Sequence, residues 1–200
     1  MRTRKSAQRV LIVDGHPDGA AERFVHALAD AYAAGATEAG HEAQILRVAD
    51  LDFPLLRSNE DFRRGQPPAT IARAQERVKW CTHLVVLYPL WLGSMPALLK
   101  GFFEQVLRPG FAFGPARKGG LPKKLLAGRS ARVVVTMGMP AFFYRWYYRA
   151  HSLKSLERNI LSFTGFSPIR TTTVGNVETP RAKMRERYLD EMRALGRAAK

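Results

Sequence analysis

The chain has 200 residues, 46% hydrophobic and 24% charged, an ordinary globular composition that can bury a sizeable core as one domain over 1–200. No apolar run reaches the ~18 residues of a membrane span, the apolar stretch after the basic start stops at Asp14, too short for a secretory leader, and a single cysteine, Cys81, excludes an internal disulfide. The formal net charge of +15 favours anionic partners, and with the lone cysteine the expected compartment is the reducing cytoplasm.

In chain order, residues 1–8 read as a disordered basic tail. Residues 9–13 form a short apolar run closed by Asp14-Gly15, the pattern of a buried strand. Phe24, Leu28, Ala31, Tyr32 and Gly35 recur at helical spacing, which predicts a helix over 21–39 ended by Gly40. Residues 43–48 alternate as a second strand, and 51–68, with three prolines, read as a long loop. A helix is expected over 70–80 with Thr70 as its cap, then a third strand over 83–88 and a helix over 96–107. Residues 109–128 are a Gly/Pro/Lys-rich excursion. A fourth strand (131–137), a helix (151–165), a fifth strand (169–174) and a last helix from Pro180, capped by Thr179, complete the reading.

Strands alternating with helices imply an α/β three-layer sandwich around a five-stranded parallel sheet of order 2-1-3-4-5. Ligands bind such sheets outside the carboxyl ends of the strands, where strand order reverses. Three loops lie there: 14–23, 88–95 and 136–144.

The first loop, Asp14-Gly15-His16-Pro17-Asp18-Gly19, joins a buried strand to a helix N-terminus, a ready anion site. His16 and Arg23 can add donors to a phosphate, and Asp18 reads equally as a cap-like residue of a plain turn. The second, Tyr88-Pro89-Leu90-Trp91-Leu92-Gly93-Ser94-Met95, concentrates large apolar groups in a surface loop. A flat cofactor ring would explain that, as would packing on the core or on a second subunit. The third, Thr136-Met137-Gly138-Met139-Pro140, runs into a segment with six aromatics among the seven residues 142–148. Ligand stacking and burial against a partner subunit are both open. A nucleic-acid platform is disfavoured, because no recognition helix, RRM signature or OB-like pattern accompanies it.

The charge is uneven. Between Glu104 and Glu157 there is no acidic residue, while Arg108, Arg117, Lys118, Lys123, Lys124, Arg129, Arg132, Arg145, Arg149 and Lys154 fall in that window. A strongly positive rim is therefore expected.

Residues 10–17, VLIVDGHP, and above all 88–113, YPLWLGSMPALLKGFFEQVLRPGFAF, resemble the flavodoxin-like NAD(P)H:quinone reductase family; VTMGMP and FTGF are similar to further family segments. The resemblance covers essentially the whole chain. It implies FAD or FMN, with FAD slightly favoured, NAD(P)H as co-substrate, a quinone-like acceptor and a homodimer with the site at the subunit interface. It carries His16 to the flavin phosphates, puts Asp18, Arg23 and Phe24, at the start of the first helix, among the cofactor-binding residues, and carries Pro89, Leu90, Trp91, Leu92 and Gly93 to the isoalloxazine ring. Thr136, Met137, Gly138 and Met139 fall at the ring's polar edge. Two departures stand out. The hydroxyls many members place before the first helix are replaced by Glu22-Arg23, and the Thr-Thr-Gly-Gly turn is Thr136-Met137-Gly138-Met139. Tyr144 and His151 are the nearest candidates for the family's Tyr and His that act on hydride transfer. Some relatives are instead flavin-bearing ancillary subunits of potassium efflux transporters, which would place this chain at a membrane protein's cytoplasmic face. No metal site is expected.

Overall fold

A computed structural model describes residues 6–116, 120–178 and 182–200. Five strands form the central sheet: β1 (Arg9–Asp14), β2 (Glu42–Arg47), β3 (His83–Pro89), β6 (Ser130–Thr136) and β7 (Ile169–Val174). Every pairing is parallel, in the order β2-β1-β3-β6-β7. The expected order 2-1-3-4-5 thus differs in its numbering. The excursion at 109–128 holds two further strands, β4 (Phe113–Ala116) and β5 (Pro122–Lys124), paired antiparallel outside the sheet. Arg117 and Lys118 lie outside the described residues, as do Thr179 and Pro180, the expected cap and first position of the last helix.

Among the described residues, seven α-helices accompany the strands: α1 (Phe24–Glu38), α2 (Asn59–Arg64), α3 (Ala69–Trp80), α4 (Ala97–Val106), α5 (Ala141–Trp146), α6 (His151–Ser155) and α7 (Ala182–Ala198). The chain continues from α6 as a wide π-type helix over Leu156–Ser162. Two apolar cores flank the sheet. Val10, Ile12, Val85, Leu87 and Val134 face α1 and α7. Leu11, Val13, Leu84, Val86, Val133 and Val135 face α3, α4 and the 153–161 segment. Alternate residues of each strand thus enter opposite layers, as a strand's period of two requires. Helices α1 and α7 cross closely because both carry glycine at the contact: a Cβ at Gly35 would strike the backbone of Arg193, and one at Gly196 that of Tyr32.

Local signals explain the boundary corrections. The long loop contains α2, whose cap Ser58 accepts from the Asp61 amide at 2.9 Å. Acidic Glu60 and Asp61 open it and basic Arg63 and Arg64 close it, matching the helix dipole. Its residues are all at least partly exposed, so no apolar periodicity marks it. Thr70 does not cap α3; its hydroxyl donates to the Asp52 carbonyl at 2.7 Å. Among the described residues, no helix is long and apolar enough to cross a membrane.

A polar network ties the amino ends of the strands. His83, fully buried, meets the Tyr32 hydroxyl at 3.1 Å and the Ser130 hydroxyl at 2.8 Å. Burial above all, then Arg132, Arg170 and His41, lowers its pKa to about 4. Folding therefore holds His83 neutral. The unfolded chain, near 6.5, takes up a proton first, so this contribution is complete above pH 6.5 and disappears as pH falls towards 4. By pH 5 it should amount to about 2 kcal/mol of lost stability. Urea unfolding of wild type and His83→Gln at pH 7 and pH 5 checks this: the wild type should lose more on acidification, and equal losses would refute it.

Candidate active site

The three expected loops meet at the carboxyl edge of the sheet. Strand β1 ends on Asp14, which is completely buried. Its Oδ1 accepts the His16 amide at 3.2 Å, and its Oδ2 lies 2.5 Å from His26 Nδ1 and 3.9 Å from Arg47 Nε. The second nitrogen of His26 is 3.0 Å from the Asp18 carbonyl. Both nitrogens of this buried ring lie within hydrogen-bond distance of a first-loop or strand oxygen. The dyad spans strand, loop and helix, and fixes the first loop from beneath.

His16 Nδ1 lies 3.1 Å from both the amide and the carbonyl of Asp18. The amide has no other acceptor among the described residues, so we assign it as the donor. The His16 proton then sits on Nε2, free to donate to a ligand. Burial, against the raising effect of the Asp18 backbone, lowers the pKa of His16 and favours the neutral ring. Asp18 accepts from the Ala20 amide at 2.9 Å and from Arg23 Nε at 2.7 Å, and these two, in that order, hold its carboxyl below the usual carboxylate range. Arg23 is thus committed to Asp18, and the pair brings no net charge to a phosphate. The first turn of α1 carries no acidic residue, and its cap position makes no side-chain hydrogen bond. His16 and these amides are the remaining anion donors. Phe24 turns away from the loop: its ring packs in the α1–α7 core under the Arg185 guanidinium, 4.6 Å from the ring centre.

The second loop is a tight turn closed by two hydrogen bonds between Trp91 and Ser94, each 2.9 Å. Leu92 and Gly93 hold its corner at φ 46° and 78°. Glycine adopts such a φ freely, whereas leucine does so at a cost, so strain is stored at a fully exposed side chain. Trp91 stands edge-on to His16, with 5.9 Å between ring centres. The Leu90 amide donates to the Thr136 carbonyl at 2.7 Å, joining the second loop to the third. In that third loop Thr136 and Met137 are buried, and Met137 packs in the α3–α4 core. Gly138 lies against the end of the Glu178 side chain. Met139 reaches the surface.

Between the second and third loops is a cleft of about 410 Å³, lined by Leu90, Leu92, Gly93, Met139, Tyr144 and Tyr148. On the other side of the Trp91–Ser94 turn a second cleft, about 500 Å³, is lined by Trp91, Leu92, Met95, Lys100, Ser152 and Ile160 among others. Tyr144 is buried and its hydroxyl is engaged, 2.8 Å from the Ser152 hydroxyl and 3.3 Å from the Leu153 amide that donates to it. It offers the cleft a ring, with the hydroxyl turned into α6. His151 is exposed and lines neither cleft, so the expected Tyr144–His151 pair does not assemble. Tyr148, one helical turn after Tyr144, is the lining residue that sequence reasoning missed.

The positive rim is narrower than expected. Arg108 is buried among the Asp61 and Gly65 carbonyls. Arg129 serves the Cys81 and Lys79 carbonyls, and Arg132 serves Lys200 and Thr172. These three cations hold the fold together.

A family model described as Flavodoxin-like fold (Flavodoxin_2) matches residues 8–195. The chain belongs to this family. An FMN-dependent NADH:quinone oxidoreductase of Nitratidesulfovibrio vulgaris (strain DP4) is 28% identical over 203 residues, covering 88% of this chain and 93% of the relative. The glutathione-regulated potassium-efflux system ancillary protein KefG of Enterobacter sp. (strain 638) is 41% identical over 75 residues, 38% of each chain. Among solved structures, the NAD(P)H:quinone oxidoreductase from Methanothermobacter marburgensis superposes with a TM-score of 0.82 at 22% identity, covering 98% of this chain and all of that one. At that identity the likeness speaks for the flavodoxin-like fold alone.

Proposed function

We propose that this chain is an FMN-dependent NAD(P)H:quinone oxidoreductase. The observation that carries the reading is a largely apolar cleft of about 410 Å³ between the second and third carboxyl-edge loops, with His16 of the first loop against Trp91 of the second, in a family whose matched relative carries that activity in its name. The volume lies in the range of small-molecule sites, and so does the apolar lining. The donor set suits a flavin as well. The turn's own hydrogen bonds use only Trp91 and Ser94, which leaves the Leu92 and Gly93 amides for the polar edge of a ring. His16 Nε2 and the first amides of α1 would take the phosphate. The sequence expectation leaned towards FAD; the relative's name favours FMN.

A bound flavin supplies the hydride chemistry, accepting from nicotinamide and delivering to a quinone. The chain's share is positional. Leu90, Leu92 and Met139 exclude water, the turn amides orient the ring edge and stabilise charge developing there, and the Tyr144 and Tyr148 rings border the space a planar acceptor would enter. The exposed Phe142, Phe143, Trp146, Tyr147 and Tyr148 support a homodimer closing the cleft from outside. The cytoplasm remains the proposed compartment, consistent with Cys81, whose thiol burial pushes its pKa up to about 12 and leaves it inert. A second reading, an ancillary subunit of a transporter, is favoured only by the local match to KefG.

The test is one preparation. Purified protein should bind FMN with quenching of flavin fluorescence. NADH or NADPH should bleach the bound flavin under anaerobic conditions, and a soluble quinone should restore the colour over many turnovers. Light scattering on the same sample should report a dimer. Failure to bind FMN or FAD at high micromolar concentration would refute the proposal. Flavin binding without quinone turnover would favour the ancillary reading.

A further inference from the structure

Tyr144 and Tyr148 line the proposed flavin cleft, and their immediate neighbours Arg145 and Arg149 line a different one. That second cleft, about 290 Å³, lies where α5, the 147–150 turn and α6 meet the edge strand β7. Its lining is Arg145, Arg149, Ala150, Leu153, Lys154, Glu157, Thr171 and Thr173, but its chemistry rests on five of them. We propose that it is an anion site that takes a phosphomonoester group. Building on the oxidoreductase reading, its source is the 2′-phosphate of NADPH.

Four observations carry this. First, the three cations are uncommitted: among the described residues, no hydrogen bond or ion pair engages the side chains of Arg145, Arg149 or Lys154. Some other arginines of this chain are taken, as Arg23 is by Asp18, Arg47 by Asp30 and Arg197 by Glu38. Three unpaired cations around one concavity repel one another unless an anion joins them. Secondly, Thr171 and Thr173 stand two apart on β7 and so share a face. Both reach the cleft, whereas Thr172 points the other way and accepts from Arg132 at 3.0 Å. Two hydroxyl donors opposite two guanidinium forks suit the tetrahedral oxygens of a phosphate.

Thirdly, the backbone that presents Arg149 is strained. Arg149 and Ala150 both lie at φ 50°, two consecutive non-glycine residues in the left-handed region. Such strain persists where the surroundings impose it and concentrates at functional positions. It keeps Tyr148 on one cleft and Arg149 on the other. Fourthly, the lining holds a single carboxylate, Glu157. Burial raises its pKa, against the lowering effect of Arg158 and Lys154. Its charge opposes an incoming anion, so its removal should help binding.

The two clefts share one wall, so a dinucleotide with its nicotinamide against Tyr144 and Tyr148 has an anion site on the far side of the same short segment. NADH has no 2′-phosphate to place there, and the site would make the enzyme prefer NADPH. A free phosphate-bearing metabolite offers the same chemistry, and the experiment separates the two sources.

FMN-loaded wild type, an Arg145→Gln/Arg149→Gln double variant and Glu157→Gln are titrated calorimetrically at low salt with 2′-AMP and with inorganic phosphate. KM and kcat for NADPH and NADH are measured in parallel. The expected result is 2′-AMP binding that falls by about tenfold or more in the double variant and strengthens in Glu157→Gln. KM for NADPH should rise by a similar factor, with kcat and the KM for NADH unchanged, the signature of lost binding and not of lost transition-state stabilisation. Phosphate binding that falls in the double variant while KM for NADPH stays constant supports the anion site and assigns it to a free metabolite. Wild type and double variant binding both probes alike, or neither, overturns the site. A Lys123→Gln/Lys124→Gln control that loses as much as the arginine variant would do the same, because it would mark a diffuse basic surface. The titration does not depend on turnover, so an inactive enzyme would sink the oxidoreductase reading and leave this inference to its own result.

Discussion

Asp14→Ala is expected to destabilise the protein by about 2 kcal/mol or more, because it leaves two buried hydrogen-bonding groups without an acceptor, at about 1–3 kcal/mol each. Asp14 is completely buried and His26 nearly so, with 2.5 Å between Oδ2 and Nδ1. Without the carboxylate, His26 keeps only the Asp18 carbonyl, and the His16 amide loses its acceptor. Exposed pairs such as Arg64–Glu60 should contribute no more than about 1 kcal/mol by comparison. Asp14→Asn keeps the shape and an acceptor for the His16 amide, so it should lose clearly less. Urea unfolding of both variants at pH 7 measures the difference. An Asp14→Ala protein within about 1 kcal/mol of wild type would show that the dyad is not a stabilising pair. Where the variant still folds, flavin titration gives a second reading. The dyad fixes the loop that carries His16, so affinity should fall even though Asp14 touches no ligand itself.

The centre of the sheet was legible because β1, β3 and β6 are buried on both faces and read as continuous apolar runs. Residues 84–87 and 133–135 leave little alternative, and the three carboxyl-edge loops follow from topology alone. What escaped was structure without apolar periodicity: α2, built on a cap and a charge gradient, and the β4–β5 hairpin, hidden in a Gly/Pro/Lys-rich stretch. The site shows the same division. Loop residues proposed to contribute backbone, such as Leu92 and Gly93, stand out through their segment. Side-chain partnerships do not. Nothing in sequence spacing announces that Arg23 is neutralised by Asp18, that the Tyr144 hydroxyl turns towards Ser152, or that Asp14 and His26, twelve positions apart, form one buried unit. Phe24 shows how a helical position can mislead: on the first turn it can face the ligand or the core, and the close packing of α7 draws it to the core.

Trp91→Ala is expected to weaken flavin binding by about 1–3 kcal/mol, roughly five- to 150-fold, with little effect on folding. Trp91 is 49% exposed and belongs to neither core cluster. Its described contacts are the edge-on approach to His16 and the two hydrogen bonds to Ser94. Those hydrogen bonds are made by the backbone and survive the substitution, so the turn that presents Leu92 and Gly93 should persist. What is lost is an apolar surface beside the proposed phosphate histidine, on the turn that separates the two clefts. Trp91→Phe, which keeps a ring, should recover most of the affinity. Fluorescence titration with FMN and thermal unfolding of the cofactor-free protein, run on both variants, separate the contributions. If Trp91→Ala binds FMN like wild type while its melting temperature drops by many degrees, the ring serves the fold. If both properties are unchanged, the flavin lies elsewhere along the edge, and the cleft between Leu90 and Tyr148 has to be tested without Trp91 as its marker.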